Sequence, residues 1–270
     1  MLLNSKKCPN CETYYDQTLK ECPNCHKSNE LYQERKVCER IVFFDFKAQI
    51  GLFLIGFGFV GMLLSEIIVS YFIPLINGDD LYKKTILLLL TYLMMFLGLM
   101  VIVLTTRRKE FFSKYKRPFD YAFGVVYAIA IVTTSLLLSA FISFFHTVED
   151  NANQESAVLI SKNYPIIAFF VLGLLGPICE ELTYRVGLYS FLRRINKYLA
   201  FIVTTIVFAS IHFDFEAIGT PNIIEELWAL PSYLVSGFIL TLAYEHRGPA
   251  CSMSAHILYN IFAFSMMFLR

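Results

Sequence analysis

The chain has 270 residues, is 56% hydrophobic and only 17% charged, and carries a net charge of +1. Soluble domains carry about 25% charged residues, so a single large soluble core is excluded. Long apolar blocks between short charged runs are instead the pattern of a polytopic membrane protein, in which the placement of charge matters more than its sum.

The start, "MLLNSKKCPNC", lacks an apolar run followed by a small-residue cleavage site, so no signal peptide is expected. Next come two CPNC knuckles, which place Cys8, Cys11, Cys22 and Cys25 as pairs of thiolates suited to a tetrahedral ion. A segment this short needs such a metal to fold. Disulfides and a redox CxxC are the alternatives, but a redox motif normally adjoins a βαβ unit and none is present. The expectation is a structural zinc ribbon over residues 1–30, with all four ligand places filled by cysteine. Reduced thiolates favour the cytosol. His26 is a weaker competing ligand, and Cys38, Cys179 and Cys251 read as small apolar residues.

Residues 31–48 read as a juxtamembrane linker and 49–270 as a transmembrane domain. Seven apolar spans are drawn at 49–76, 85–105, 121–145, 164–192, 198–213, 228–244 and 249–269. Each approaches the ~20 residues needed to cross a bilayer, the fifth and sixth being short. The fold class expected is therefore an all-α polytopic membrane protein with a small N-terminal zinc-ribbon module.

The connecting loops alternate in charge. "TTRRKEFFSKYKRP", "RRINK" and "EHR" are basic, whereas "NGDDLYKK", "HTVEDNANQES" and "FDFEAIGTPNIIEE" are acidic or nearly free of Lys and Arg. The positive-inside rule places the first set and the N-terminus in the cytoplasm. Asp214, Glu216, Glu225 and Glu226 then read as a solvated outer loop.

Ionisable residues at membrane depth are functional candidates by default. They are Glu180, Glu181 and Arg185 in "PICEELTYRVG", His212 ending "FASIH", His256 and Asn260 in "HILYN", and the isolated Glu66. Helix rise puts Glu180 and His212 both on the order of 20 Å from the basic turn between their spans, with His256 and Asn260 at a compatible level. Glu181 and Arg185 are spaced i,i+4 for an intrahelical ion pair. Glu180 is then left for water, with His212 as its partner on the next helix. A carboxylate beside a histidine in an apolar pocket suits a general base, and a second histidine and an amide suit a developing oxyanion. Each residue taken alone also has a structural reading: a satisfied core histidine, a helix-bridging Asn260, an interfacial clamp, or, for Glu66, helix packing.

The motifs EELTYR, FASIH and HILYN fit EExxxR, FxxxH and HxxxN, in that order, on successive spans. Over about residues 120–270 the chain resembles the CPBP family of intramembrane proteases, which includes CAAX-processing type II endopeptidases and bacterial Abi proteins; the ribbon is an added module. The resemblance implies a helical core, a cavity open to the cytosol, and hydrolysis of a peptide bond in a membrane-associated protein or peptide. Glu180 and His212 would activate water, His256 and Asn260 would stabilise the oxyanion, and Glu181 and Arg185 would support them. The family is often labelled metalloprotease. No HExxH is present, yet Glu180, His212 and His256 have the types of a His₂Glu catalytic zinc site, so glutamate-only and metal-dependent mechanisms both stay open.

The implied partners are membrane lipids, a peptide or membrane-protein substrate, and a cytosolic protein for the ribbon. The head is mixed in charge, so no nucleic acid is expected. The ribbon and compact loops point to a multi-pass protein of a bacterial cell membrane. The alternative function is a non-proteolytic scaffold, or a bacteriocin-immunity or sensor protein, on the same fold.

Overall fold

The structure is a computed structural model that describes residues 5–16, 19, 21–29, 41, 44–57, 61–147 and 150–269. Cys38 and most of the expected linker lie outside the described residues, as does the side chain of Glu66.

The head is built on a short hairpin, in which β1 (Ser5–Lys7) pairs antiparallel with β2 (Tyr14–Asp16). Its two knuckles share one backbone pattern. Cys8 N–H donates to the Thr13 carbonyl and Glu12 N–H to the Cys8 carbonyl; Cys22 and His26 N–H groups do the same to Lys27 and Cys22. Glu12 and His26 close these turns at positive φ.

The body is helical. Its elements are α1 (Phe46–Gly56), α2 (Gly61–Ser70), α3 (Asp80–Thr105), α4 (Arg108–Ser113), α5 (Pro118–Ile142), α6 (Ala152–Asn163), α7 (Pro165–Arg193), α8 (Lys197–Ser210), α9 (Ile223–Arg247) and α10 (Pro249–Met266). Four of them, α3, α5, α7 and α9, are long and apolar enough to cross a membrane, while α1 and α8 are shorter apolar helices. Outward-facing Leu97, Val101, Val126, Ile129 and Leu137 are exposed, as expected of surfaces that meet lipid rather than water.

Side-chain caps set several starts. Asp45, Asp79, Asn151 and Asn196 each accept a backbone N–H from the first turn of α1, α3, α6 and α8, which satisfies donors the helix cannot. Two sequence expectations change here. The span drawn at 49–76 is divided between α1 and α2, and the polar loop after α5 contains the twelve-residue α6.

Helix α7 is the most buried of the long helices. It changes hydrogen-bond pattern twice, being π-helical over Phe169–Leu175 and again over Glu181–Tyr189. Such turns widen the helix and free carbonyls for other donors. It packs on α1, α8 and α10, while α10 also packs on α5 and α9. The approach of α1 is close enough that a Cβ at Gly187 would stand 2.9 Å from the Phe53 amide nitrogen, so that contact requires glycine.

Candidate active site and metal centre

Glu180 ends an α-helical turn of α7, Glu181 starts its second π-helical segment, and the side chains from Glu181 to Arg185 are enclosed. Arg185 has no exposed side-chain surface, and its Nη1 lies 3.1 Å from Glu181 Oε1, as the i,i+4 spacing implies. A buried cation of this kind needs several partners. Two more are supplied from neighbouring helices. Arg185 Nη2 donates to the Gly237 carbonyl of α9 at 3.2 Å, and the guanidinium lies 4.4 Å from the ring centroid of Phe208 on α8, within cation–π range. Phe208 is thus more than filler in FASIH: its ring also meets Tyr184, His212 and His256 edge-on, at 5.8, 5.1 and 5.8 Å between centroids.

Glu180 and Glu181 are adjacent in sequence but occupy different environments. Glu181 is fully enclosed, whereas Glu180 retains 11% of its side-chain surface. His256, entering from α10, touches both. Its Nδ1 is 3.0 Å from Glu181 Oε1 and its Nε2 is 3.7 Å from Glu180 Oε2. The Nδ1 contact selects the tautomer with the proton on Nδ1, donated to the carboxylate, and leaves Nε2 facing Glu180.

The structure sets His256 beside Glu180. Helix α8 ends at Ser210, two residues short of His212, so the continuous helix assumed in the depth estimate does not reach it. The His212 ring lies flat on Tyr233 of α9, 4.6 Å between centroids with an 11° interplanar angle. Asn260 donates from Nδ2 to the Leu172 carbonyl at 2.9 Å, in the first π-helical segment of α7. It is one turn beyond His256 on α10 and keeps a second amide N–H.

Two features escaped sequence reasoning. Glu226, read as a solvated loop residue, is buried. It accepts from Asn151 Nδ2 and from the backbone N–H groups of Ala152 and Asp214, at 3.0, 3.1 and 3.1 Å. The second is a node at the other end of α7. There the hydroxyls of Ser190 and Tyr244 lie within hydrogen-bond distance of each other and, at 2.9 and 2.7 Å, of the Ile41 carbonyl, sharing one hydrogen apiece among these contacts. Ser190 Oγ also lies 3.0 Å from the Arg185 carbonyl, which accepts the Ser190 backbone N–H as well.

Metal fit differs between the two candidate centres. The sulfurs of Cys8, Cys11, Cys22 and Cys25 all lie within 4.8 Å of one another, with Cys8–Cys25 at 3.6 Å and Cys11–Cys22 at 3.5 Å. A tetrahedral zinc with Zn–S near 2.3 Å sets sulfurs about 3.8 Å apart, so the four thiols fit a structural zinc. Thr13, its hydroxyl 3.5 Å from Cys11 Sγ, draws that thiol down to about 6, while burial pushes Cys22 up to about 11. His26 turns away to Glu21. Among the described residues Glu180, His212 and His256 are not gathered within 4.8 Å as a set, and His256 Nδ1 is engaged by Glu181. As arranged, these three do not form a His₂Glu zinc site. Cys179 and Cys251 are fully buried in the helical core.

The fold and this cluster define a helical membrane protein with a Glu–Glu–Arg–His group in its interior. Residues 162–262, which contain all three motifs, match the family described as type II CAAX prenyl endopeptidase, Rce1-like. The chain is also similar to a UPF0177 protein, YvdC, of Lactococcus lactis, with 30% identity over 47% of this chain and 46% of the relative. The membrane-embedded CAAX protease MroQ of Staphylococcus aureus is 31% identical over 41% of this chain and 42% of its own. A second UPF0177 protein of Lactococcus lactis, YxdF, is 32% identical over 29% and 37%. Residues 162–262 are thus similar to the CAAX-type family, and the chain spans less than half the length of each of these relatives. No solved structure matches it.

Proposed function

We propose that this protein is a membrane-embedded endopeptidase that hydrolyses a peptide bond in a membrane-associated protein or peptide. The observation that carries the proposal is His256, which has one ring nitrogen at each of two adjacent glutamates while the second glutamate is held by a buried arginine. Glu180 is the member with surface left to meet water, so it serves as general base. It takes a proton from the water as the oxygen attacks the carbonyl, and returns it to the departing amine. His256, held through Nδ1–H by Glu181, keeps Nε2 beside Glu180; protonated on both nitrogens, it donates Nε2–H to the oxygen that becomes negative. A carboxylate likewise orients a histidine through Nδ1–H in other hydrolases, where that histidine serves as the base. Arg185 keeps Glu181 ionised and fixed. His212 approaches from α8, and Asn260 has an N–H to offer from α10, so each adds a donor to the oxyanion once substrate is seated.

Homology to CAAX-type proteins supports this reading at the level of the family. The N-terminus, ribbon and basic loops then belong in the cytoplasm, with the ribbon as a zinc-held site for a cytosolic partner. Relatives in two bacteria favour bacterial substrates, such as a signalling peptide, a bacteriocin or a membrane-bound regulator. The test compares new protein termini in membranes of cells that express the wild type or Glu180→Ala at equal levels. Termini present only with the wild type are expected; identical sets would remove the protease reading.

A further inference from the structure

We infer that Tyr233 is a positioning residue that fixes the ring plane of His212 for the reaction proposed above, on which this inference rests. None of the three motifs contains it. The argument begins with two pairs on facing helices. Phe208 and His212 are spaced i,i+4 across the end of α8, and Tyr233 and Gly237 are spaced i,i+4 on α9, so each pair presents one face. The pairs interlock. A Cβ at Gly237 would stand 2.8 Å from Phe208 Cδ1, so glycine is what lets Phe208 lie there. One turn away the Tyr233 ring lies flat on His212. Gly237 also supplies the carbonyl for Arg185. A single face of α9 thereby sets the guanidinium of the first motif and the imidazole of the second.

The hydroxyl of Tyr233 is itself tied down. Asn153 Nδ2 donates to it at 3.0 Å, and it reaches Asn151 Oδ1 at 3.5 Å. Asn151 caps α6 and donates to Glu226, the buried carboxylate that also accepts the backbone N–H of Asp214, two residues beyond His212. His212 follows the end of α8, its backbone N–H bonded to the Ala209 carbonyl at 3.2 Å in a last tightened turn. Beyond that turn its ring is held by the tyrosine ring, and the chain two residues on by the Asp214–Glu226 contact. Both supports converge on α6. A histidine that must place one nitrogen at a developing oxyanion gains most from such constraint, since a misplacement of about 1 Å can cost on the order of a hundredfold in rate.

The test uses the full chain in proteoliposomes, with cleavage of one membrane peptide followed for the wild type, Glu180→Ala, Tyr233→Phe and Tyr233→Met. Methionine fills similar space without a flat ring, and Tyr233→Leu replaces it should that variant not fold. The expected result is a kcat about ten- to a hundredfold lower for Tyr233→Met, with KM within about twofold, and substantial rescue by Tyr233→Phe, which keeps the ring. A second readout is the His212 side-chain resonance in histidine-labelled protein, assigned with His212→Asn. It should shift in Tyr233→Met through loss of the stacked ring and stay near its wild-type position in Tyr233→Phe. Unchanged kcat in Tyr233→Met, or an unmoved His212 resonance, would overturn the inference. Full cleavage by Glu180→Ala would instead overturn the protease reading, with the resonance still deciding whether Tyr233 holds His212.

Discussion

Replacing Arg185 with methionine is the sharpest probe of the buried cluster. The change keeps side-chain volume roughly constant and removes three interactions: the ion pair with Glu181 at 3.1 Å, the hydrogen bond to the Gly237 carbonyl at 3.2 Å, and the contact with the Phe208 ring at 4.4 Å. A desolvated cation–π contact contributes about 2 kcal/mol and a charged hydrogen bond about 1.5–3 kcal/mol. Glu181 would remain enclosed, with the His256 imidazole and the Ser252 hydroxyl but no cation to balance it. Breaking one partner of a buried pair typically costs about 3–5 kcal/mol, and the sum here falls in that range. A loss of about 4 kcal/mol is roughly a thousandfold in the unfolding equilibrium. Reversible unfolding in bicelles, followed by pulse proteolysis, reads it directly. The double variant Glu181→Gln/Arg185→Met should recover at least ~1.5 kcal/mol relative to the sum of the singles, because neither charge is then stranded. A single variant within ~0.5 kcal/mol of wild type, or strictly additive singles, would refute the coupling.

Three other outcomes follow from particular contacts. Gly237→Ala should lower stability by about 1–3 kcal/mol, the range for overpacking, because the new methyl meets Phe208 at 2.8 Å; a neutral effect in the same unfolding assay would contradict the close approach. Tyr244→Phe should cost about 1–2 kcal/mol through the lost bond to the Ile41 carbonyl, and Ser190→Ala in that background should cost less than alone, since the two hydroxyls are partners. Additive losses would argue against a shared node. The purified wild type should carry zinc that Cys22→Ser lacks, measured by elemental analysis. Protons compete with zinc for the four thiolates, so zinc release to a chelating dye should rise on acidification; release independent of pH would oppose this account.

Much of the body was legible in the sequence because length and apolarity alone mark helices such as α3 and α5. Other features leave no such trace. The division between α1 and α2 falls in a run without charges or proline, where composition reads the same for one helix or two. The π-helical segments of α7 depend on packing by α1 and α10 and have no periodic signal of their own. At the site, the Glu181–Arg185 pair is a local i,i+4 relation and could be read directly. The contact of His256 with both glutamates was not, because it depends on how α10 packs on α7. Estimating depth from residue number assumes a continuous helix through His212, and α8 stops at Ser210. Glu226 was misread for a related reason: an acidic residue in a loop-like stretch becomes buried only when α6, itself unforeseen, brings Asn151 to it. The Asn151 cap followed by Gln154 was the signal that could have revealed α6.

The central claim is that Glu180 acts on water with His256 beside it. Its most direct test is single-turnover cleavage by purified protein in proteoliposomes, comparing wild type with Glu180→Gln and His256→Asn at matched folding stability. Cleavage by the wild type and loss of at least about a hundredfold in both variants is the result predicted. Cleavage by Glu180→Gln at the wild-type rate would contradict it.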